Sequence, residues 1–247
     1  PLLSKEEILA DAKKQAAQGV LRYSIVTAGK ALSDAEIDIM CDTIRQIRQE
    51  TTLSVCVSFG LLTESQFCRL KETGVSRVHN NLETSERHFP NICTTHTFAD
   101  KVSAIQAAQQ AGLTVCSGGI MGMGETMADR IDMALALRDL GITSVPVNVL
   151  NPIPGTPFGE YPTLSEEEVL GILALYRFLL PAASIRMAGG RGLLPDGGKS
   201  CFLSGANAAI TGDMLTTAGI TVQTDLQMLT ELGYEVKLDE TTDDHRH

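Results

Sequence analysis

Two cysteines on short apolar runs are the residues of this sequence best suited to hold a metal or an iron–sulfur cluster. Cys56 and Cys116 lie within the runs 53–59 and 113–120, which have the composition of buried strands. A structural zinc site usually has four ligands in short paired spacings, and the sequence contains no CxxC pair. Thiolates from distant segments can hold an iron–sulfur cluster instead. Spacing alone favours two ordinary buried thiols, with a cluster as the alternative.

Polar residues gather where other strands are predicted to end, which is where parallel α/β barrels place their functional groups. His79, Asn81 and Glu83 close the third predicted strand, Asn148 lies on the fifth and Arg186 on the sixth. A carboxylate such as Glu83 can accept two hydroxyl hydrogen bonds, as ribose recognition requires, or it can cap the following helix. A buried guanidinium needs partners because its desolvation is costly. Arg186 is therefore either a functional residue or part of a structural ion pair.

Four glycines, at positions 118, 119, 122 and 124, follow Cys116 directly. Glycine permits positive φ and lets the backbone approach a ligand closely, and the next helix would bring its N-terminal amides to the same place. The run is neither GxGxxG nor a GK[ST] loop, so it is not a dinucleotide or P-loop motif. It indicates either a cofactor contact or only a tight connection.

The elements that must position these residues alternate between strand and helix. Ser4, Ser33, Thr63 and Ser165 begin capping boxes, and helices are predicted to end at Gly19, Gly74, Gly112, Gly141 and Gly233. Seven strands are predicted, at 20–26, 53–59, 75–80, 113–120, 144–150, 183–188 and 201–205. The alternation predicts an α/β fold with a parallel sheet, of the TIM-type (β/α) barrel class. Because a helix at about 3–18 comes first, we expect this barrel to lack its first strand and loop.

Composition excludes several classes of protein. The 247 residues are 43% hydrophobic with a net charge of −10, and no basic cluster of the kind found in nucleic-acid binders is present. No run approaches the ~20 apolar residues of a membrane span. The six scattered cysteines favour reduced thiols in a cytoplasmic protein. We expect one barrel portion over 1–150, a subregion that completes it over 151–238, and an acidic tail over 239–247.

The order of these motifs resembles the biotin synthase family of radical S-adenosylmethionine enzymes, over essentially the whole chain before the tail. The matching stretches are 115–120 with 122–126, 81–85, 145–148 with 155–157, 186–191, 201–207 and 212–217. The resemblance implies a sulfurtransferase that converts dethiobiotin to biotin. In this family a [4Fe–4S] cluster cleaves S-adenosylmethionine, and an auxiliary iron–sulfur cluster donates the sulfur. A closed barrel suits such chemistry because it shields a radical from solvent.

The resemblance also implies roles for individual residues. Cys56, Cys116 and Arg186 match three ligand positions of the auxiliary cluster, which also makes Arg186 the candidate catalytic residue. Asn81 and Glu83 match contacts to S-adenosylmethionine, and the glycines at 118, 119, 122 and 124 match the loop that packs against this cofactor. Asn148 matches a dethiobiotin contact, and His79 stands where a substrate-binding Asn is often found.

Two departures from the family pattern are visible. Ser24 stands where the best-known pattern has a fourth cysteine, and a neutral hydroxyl is a poor cluster ligand. Cys93 stands where many relatives have an aliphatic residue, so our hypothesis is that Cys93 supplies the missing ligand. The CxxxCxxC motif of the radical-generating cluster does not occur in the sequence. We therefore expect a truncated sequence that is inactive by itself.

The resemblance further implies an electron donor such as flavodoxin or ferredoxin, and a homodimer. Two alternatives remain. One is another radical enzyme of the same architecture, related to hydrogenase maturases or methylornithine synthase, against which the Cys56, Cys116 and Arg186 set argues. The other is a barrel without clusters that acts as a binding module.

Overall fold

The computed structural model describes residues 2–212 and 220–238, and every helix and strand named below lies within these ranges. The helices are α1 (Lys5–Ala17), α2 (Asp34–Glu50), α3 (Glu64–Glu72), α4 (Phe89–Ile92), α5 (Phe98–Gln110), α6 (Met127–Asp139), α7 (Glu166–Leu179), α8 (Lys199–Leu203) and α9 (Val222–Glu231). The strands are β1 (Arg22–Val26), β2 (Ser54–Ser58), β3 (Arg77–His79), β4 (Thr114–Cys116), β5 (Gly119–Met121), β6 (Ser144–Val149), β7 (Ser184–Met187) and β8 (Ala208–Ala209). The predicted tail at 239–247 and most of the stretch 212–217 lie outside the described residues.

The four predicted capping boxes are all formed. At Ser4, Ser33, Thr63 and Ser165 the hydroxyl accepts a hydrogen bond from the backbone amide three residues on, and the side chain of that later residue accepts one from the backbone amide of the cap. Each box satisfies two backbone donors that the helix itself leaves open. A fifth box joins Thr126 to Asp129 at the start of α6. It was not predicted because Asp, not Glu or Gln, stands at its third position.

The described chain divides into two compact units, and the first comprises residues 2–80, 103–115 and 222–238. It contains β1, β2 and β3 as parallel neighbours, in a register that aligns Ser24 with Cys56 and Cys56 with Arg77. The first residues of β4 continue this order, because Thr114 N donates to Ser76 O at 3.3 Å. Val55 and Val57 on one face of β2 and Cys56 on the other are all buried, as expected for a strand covered on both faces.

The second unit comprises residues 81–102, 116–212 and 220–221. The last residue of β4, Cys116, pairs with Ser144 of β6, and the parallel order continues from β6 to β7 and β8, with β5 also beside β6. The run 113–120 was predicted as one strand, but it forms β4 and β5 with a break at 117–118. Parallel strands alternating with helices confirm the predicted α/β class.

The seventh predicted strand is wrong, because 201–205 lies largely in helix α8. The Asp196 carboxylate accepts hydrogen bonds from the amides of Gly198 at 2.9 Å and Ser200 at 2.7 Å, which stabilises a helical turn there. Short apolar runs do not distinguish a strand from a buried helix by periodicity. The strand that follows β7 in the sheet is β8, a few residues further on.

No helix within the described ranges is long and apolar enough to cross a lipid bilayer.

Candidate functional site

Asn81 and Glu83 lie in the second unit, on the segment after β3, and are joined to the start of β5. Asn81 Oδ1 accepts from Gly118 N at 3.0 Å, and its Nδ2 donates to Glu83 Oε2 at 3.3 Å. The backbone of Glu83 accepts from Ile120 N and donates to Gly118 O, both at 3.0 Å. Two of the predicted cofactor residues and the first of the predicted glycines therefore form one hydrogen-bonded group.

Glu83 adopts an unusual backbone conformation, with φ of 72°. Few non-glycine residues take a positive φ, because their Cβ then crowds the carbonyl. The two backbone hydrogen bonds to the β5 segment hold the residue in this conformation. Such strain occurs preferentially at ligand sites, which supports a binding role for the Glu83 carboxylate.

Gly118 and Gly119 are required by close contacts within the chain itself. A Cβ at Gly118 would clash with the carbonyl of Pro146 on β6, and one at Gly119 with the carbonyl of Glu83 and with Met133 Sδ. These contacts bring the segment after β3 against β5 and β6. Gly118 and Gly119 thus allow the Asn81–Glu83 segment to pack closely against β5 and β6.

The turn with Gly122 and Gly124 is held by a buried carboxylate that sequence reasoning did not single out. Glu125 accepts from Gly122 N at 2.8 Å, from Met123 N at 2.7 Å and from Arg130 Nε at 2.8 Å. The side chains of Glu125 and Arg130 are only 2% and 8% exposed. The carboxylate therefore fixes the glycine turn from inside.

A second buried acid, Asp129, ties the start of α6 to the segment after Glu83. Its carboxylate accepts from Ser85 at 2.7 Å and from Arg87 Nη2 at 2.7 Å, in addition to Thr126. Burial raises the pKa of Asp129, but the hydrogen bonds from Thr126, Ser85 and Arg87 outweigh this and lower it well below its usual range. Asp129 is accordingly ionised at neutral pH.

Asn148, the predicted substrate contact, links three neighbouring backbones. Its Nδ2 donates to Gly119 O at 3.1 Å, and its Oδ1 accepts from Gly189 N at 2.9 Å. An amide has two donors and two acceptor lone pairs, so one of each remains for another group. Asn148 therefore has a structural role, and its predicted contact with substrate stays a prediction.

Cys116 and Arg186 meet on a single serine hydroxyl. Ser144 Oγ donates to Cys116 Sγ at 3.2 Å and accepts from Arg186 Nε at 2.7 Å. Cys116 and Ser144 are buried, and Arg186 is half-buried. The predicted thiol ligand and the predicted arginine are thus neighbours, although they lie 70 residues apart in sequence. Ser144 was missed because a single serine on an apolar strand carries no recognisable signal.

Cys56 and His79 belong to the first unit. Cys56 is buried at the centre of β2, in register with Ser24 on β1, which is exposed. His79 is the last residue of β3 and is half-buried. The register places Ser24 beside Cys56, the arrangement expected if both correspond to family ligand positions.

Cys93 lies on a loop, at the end of the short helix α4. Its Sγ is 3.5 Å from Thr95 Oγ1 and 3.4 Å from His96 Nδ1. Burial raises the pKa of the Cys93 thiol, but hydrogen bonds from Thr95 and the His96 backbone outweigh this effect and lower the pKa. The thiol is half-buried and polar in its surroundings, unlike the buried Cys116.

Within residues 2–212 and 220–238, no three His, Cys, Asp or Glu side chains converge as a metal site. Whether the site suits an iron–sulfur cluster is therefore judged from the chemistry of its donor atoms. Cys116 is a buried soft donor, and the half-buried strand guanidinium of Arg186 is held beside it by Ser144. Thiolates are the preferred ligands of such clusters, so the donor atoms around Ser144 are chemically suited to an iron–sulfur cluster.

Comparison with known proteins decides the family. Residues 1–137 match the Radical SAM superfamily, and residues 146–235 match the Biotin and Thiamin Synthesis associated domain. A biotin synthase of Brachyspira hyodysenteriae is 59% identical over 97% of this chain and 72% of its own length. The chain belongs to the biotin synthase family. A biotin synthase of Akkermansia muciniphila is 56% identical over 96% of this chain and 74% of its own length. Membership confirms the predicted family of radical sulfurtransferases, and it implies S-adenosylmethionine and iron–sulfur clusters as cofactors.

Solved structures share the fold at low sequence identity. A methylornithine synthase superposes with a TM-score of 0.82 at 19% identity, over 96% of this chain and 75% of that one. A maturase of the [FeFe]-hydrogenase gives 0.80 at 18% identity, over 95% and 57%. These likenesses confirm the predicted TIM-type fold class. They show the fold alone, whereas the identities to biotin synthases show the family.

Proposed function

We propose that this chain carries the sulfur-inserting site of a biotin synthase that converts dethiobiotin to biotin. The observation that carries the proposal is the Cys116–Ser144–Arg186 group, which joins a buried thiol to a strand arginine at two family ligand positions. The reaction class follows from membership of the family. The location of the site in the chain follows from the thiol of Cys116 and the guanidinium of Arg186.

Cys56, Cys116 and Arg186 would hold the auxiliary iron–sulfur cluster, which supplies the sulfur atom when bound. Ser144 would keep the Arg186 side chain oriented beside Cys116, because it accepts from Nε and leaves the terminal nitrogens of the guanidinium to other partners. Arg186 would then act at the reacting centre as the predicted catalytic residue. This division of roles stays a proposal for each residue.

Cys93 would supply the remaining ligand in place of Ser24. Ser24 is exposed on β1, and its hydroxyl is a poor donor to iron. The test compares Cys93→Ala with Cys68→Ala, since Cys68 is also half-buried but lies on helix α3. We expect Cys93→Ala alone to lower the iron and sulfide content after anaerobic reconstitution. Equal content in both variants would reject the substitution of ligands.

Asn81 and Glu83 would bind S-adenosylmethionine, with the Glu83 carboxylate accepting from ribose hydroxyls. The strained φ of Glu83 and its hydrogen bond from Asn81 support this role. The turn with Gly122 and Gly124, fixed by Glu125, would pack against the same cofactor. Because no CxxxCxxC motif lies within the 247 residues, we propose that this chain does not cleave S-adenosylmethionine by itself.

Dethiobiotin would contact Asn148 and His79, the first through its remaining donor and acceptor. We also propose a flavodoxin or ferredoxin as reductant, a homodimer and a cytoplasmic location. We further propose that the chain divides at residue 150 into a barrel portion and a C-terminal region. A barrel without clusters is the alternative function, and a reconstituted chain free of iron and sulfide would favour it.

The function is tested by a product assay on this chain preceded by the CxxxCxxC segment of a related biotin synthase. The reaction contains S-adenosylmethionine, dethiobiotin, flavodoxin and its reductase, under anaerobic conditions, and biotin is measured by mass spectrometry. We expect biotin from the wild-type sequence and at least about a hundredfold less from Cys116→Ala, because a cluster ligand is lost. Formation of 5′-deoxyadenosine without biotin would reject the proposal.

A further inference from the structure

The sheet of the first unit has two faces of contrasting composition, because successive residues of a strand point to opposite sides. One face is mainly aliphatic and carries Val55, Val57 and Val78. Tyr23 lies on the same face, and its hydroxyl donates to Asp11 of α1 at 2.8 Å, so this is the face that α1 covers. The opposite face, called the inner face below, is mainly polar and carries Arg22, Ser24, Cys56, Arg77 and His79, with two further serines of β2.

The inner face is cationic, although the chain as a whole has a net charge of −10. It carries two guanidinium groups and one imidazole, and the sequence of β1, β2 and β3 contains no Asp or Glu. An arginine keeps its positive charge in proteins. The side chain of this face that can become an anion is the Cys56 thiol, which ionises when it binds a metal. The charge of the inner face therefore suits an anionic group bound at Cys56.

Arg77 is the cation that lies level with Cys56. The register of the parallel strands β2 and β3 aligns the two residues, and neighbouring strands are about 4.8 Å apart. Residues in register on such a pair point to the same face, so the Arg77 side chain begins beside the thiol. Both residues are buried, with exposures of 2% for Arg77 and 3% for Cys56, whereas Arg22 aligns with Ser54 and is half-buried. Arg77 thus places a positive charge next to a proposed cluster ligand, where burial from water strengthens its electrostatic effect.

We propose that Arg77 compensates the negative charge of the auxiliary iron–sulfur cluster and raises its reduction potential, without being one of its ligands. This role rests on the proposed function, in which Cys56 helps to hold that cluster. The net charge of an iron–sulfur cluster and the hydrogen bonds to its sulfur atoms set its reduction potential. A guanidinium supplies a fixed positive charge and up to five N–H donors. Both favour the reduced cluster, because reduction adds one negative charge.

The test is an anaerobic redox titration of the iron-reconstituted 247-residue chain, followed by electron paramagnetic resonance of the reduced cluster. A unit charge within about 10 Å of the added electron, at an effective dielectric constant of about 20, changes the reduction equilibrium at least about tenfold. We expect the neutral variants Arg77→Met and Arg77→Gln to disfavour the reduced cluster by this factor, about 59 mV for a one-electron couple. Arg77→Lys keeps the charge but loses the planar set of donors, so its shift should be smaller, about threefold. Arg45→Met removes an exposed cation from α2 and should leave the potential unchanged.

The other outcomes also decide the role of Arg77, with folding of each variant verified by circular dichroism. A wild-type potential in a folded neutral variant would overturn the role. Loss of the cluster from the folded neutral variants but not from Arg77→Lys would support it, because the charge is then what the cluster requires. Loss of the cluster from all three variants, or failure of both neutral variants to fold, would overturn it, because the residue would then serve the fold. A wild-type chain without iron and sulfide would reject the proposed function together with this role, whereas an unchanged potential rejects the role alone.

Discussion

The buried carboxylate of Glu125 offers a quantitative test of how the glycine turn is held. In Glu125→Gln the side chain keeps its shape but loses its charge, and an amide nitrogen replaces one of the two oxygens. One oxygen accepts from Gly122 N and Arg130 Nε, and the other accepts from Met123 N. In either orientation of the Gln amide, its NH₂ group faces a backbone N–H donor of the turn. The Arg130 cation also loses its carboxylate partner.

The magnitude follows from the burial of the pair. The side chains of Glu125 and Arg130 are 2% and 8% exposed, so solvent cannot replace the lost contacts. Breaking a buried ion pair by removing one charge costs about 3–5 kcal/mol, and a backbone amide left facing a donor accounts for about 1–3 kcal/mol of that loss. In a chain of this length, each 1 kcal/mol corresponds to about 2–4 °C in the unfolding midpoint. We expect a midpoint lower by about 6–20 °C.

The assay is thermal and urea unfolding of wild type, Glu125→Gln and the control Glu167→Gln. Glu167 is exposed in the first turn of α7, and substitutions at such surface positions change stability by about 0.5 kcal/mol or less. A loss of under about 1 kcal/mol in Glu125→Gln would refute the reasoning, because it would mean that the carboxylate does not hold the turn.

Three further predictions concern other residues of the site. Asp129→Asn should lower the urea midpoint by more at pH 7 than at pH 2; the folded pKa of Asp129 is depressed, so its contribution is fully present above the unfolded pKa near 3.9 and decreases as pH falls toward the folded value. Ser144→Ala should reduce reconstituted iron and sulfide, because Arg186 and Cys116 lose their shared hydroxyl, while Ser184→Ala on β7 should not; equal content would contradict this. The chain supplied with S-adenosylmethionine and dithionite should release no 5′-deoxyadenosine by chromatography, and any release above background would contradict the proposed lack of cleavage.

The fold was largely predictable because its local signals agree with one another. The capping boxes at Ser4, Ser33, Thr63 and Ser165 fixed four helix starts, and valine-rich runs gave most strands. The strand predicted at 201–205 was wrong because the periodicity of this short apolar run fits a strand or a helix equally well. The hydrogen bonds of Asp196 to the amides of Gly198 and Ser200 stabilise the helix there.

Residues of the site could be predicted from the sequence only where the residue type itself indicates a chemical role. Cys116 and Arg186 were identified from their positions in a family pattern, but the serine that joins them was not. Ser144 acts through a three-dimensional contact across strands β4, β6 and β7, and no spacing in the sequence encodes that contact. Glu125 was visible as the end of a glycine run, yet its burial against Arg130 depends on how α6 packs. Contacts between segments that are far apart in the chain therefore could not be predicted from the sequence.

The central claim is that this chain holds an auxiliary iron–sulfur cluster on Cys116. The chain contains no CxxxCxxC motif, so a cluster on it reports this site without interference from the radical-generating one. The measurement is iron and acid-labile sulfide per chain after anaerobic reconstitution of wild type, Cys116→Ala and Cys41→Ala. Cys41 is the matched control, a thiol on α2 that is 4% exposed beside 5% for Cys116. We predict a cluster in wild type and Cys41→Ala and its loss in Cys116→Ala; equal iron and sulfide in all three proteins would contradict the account.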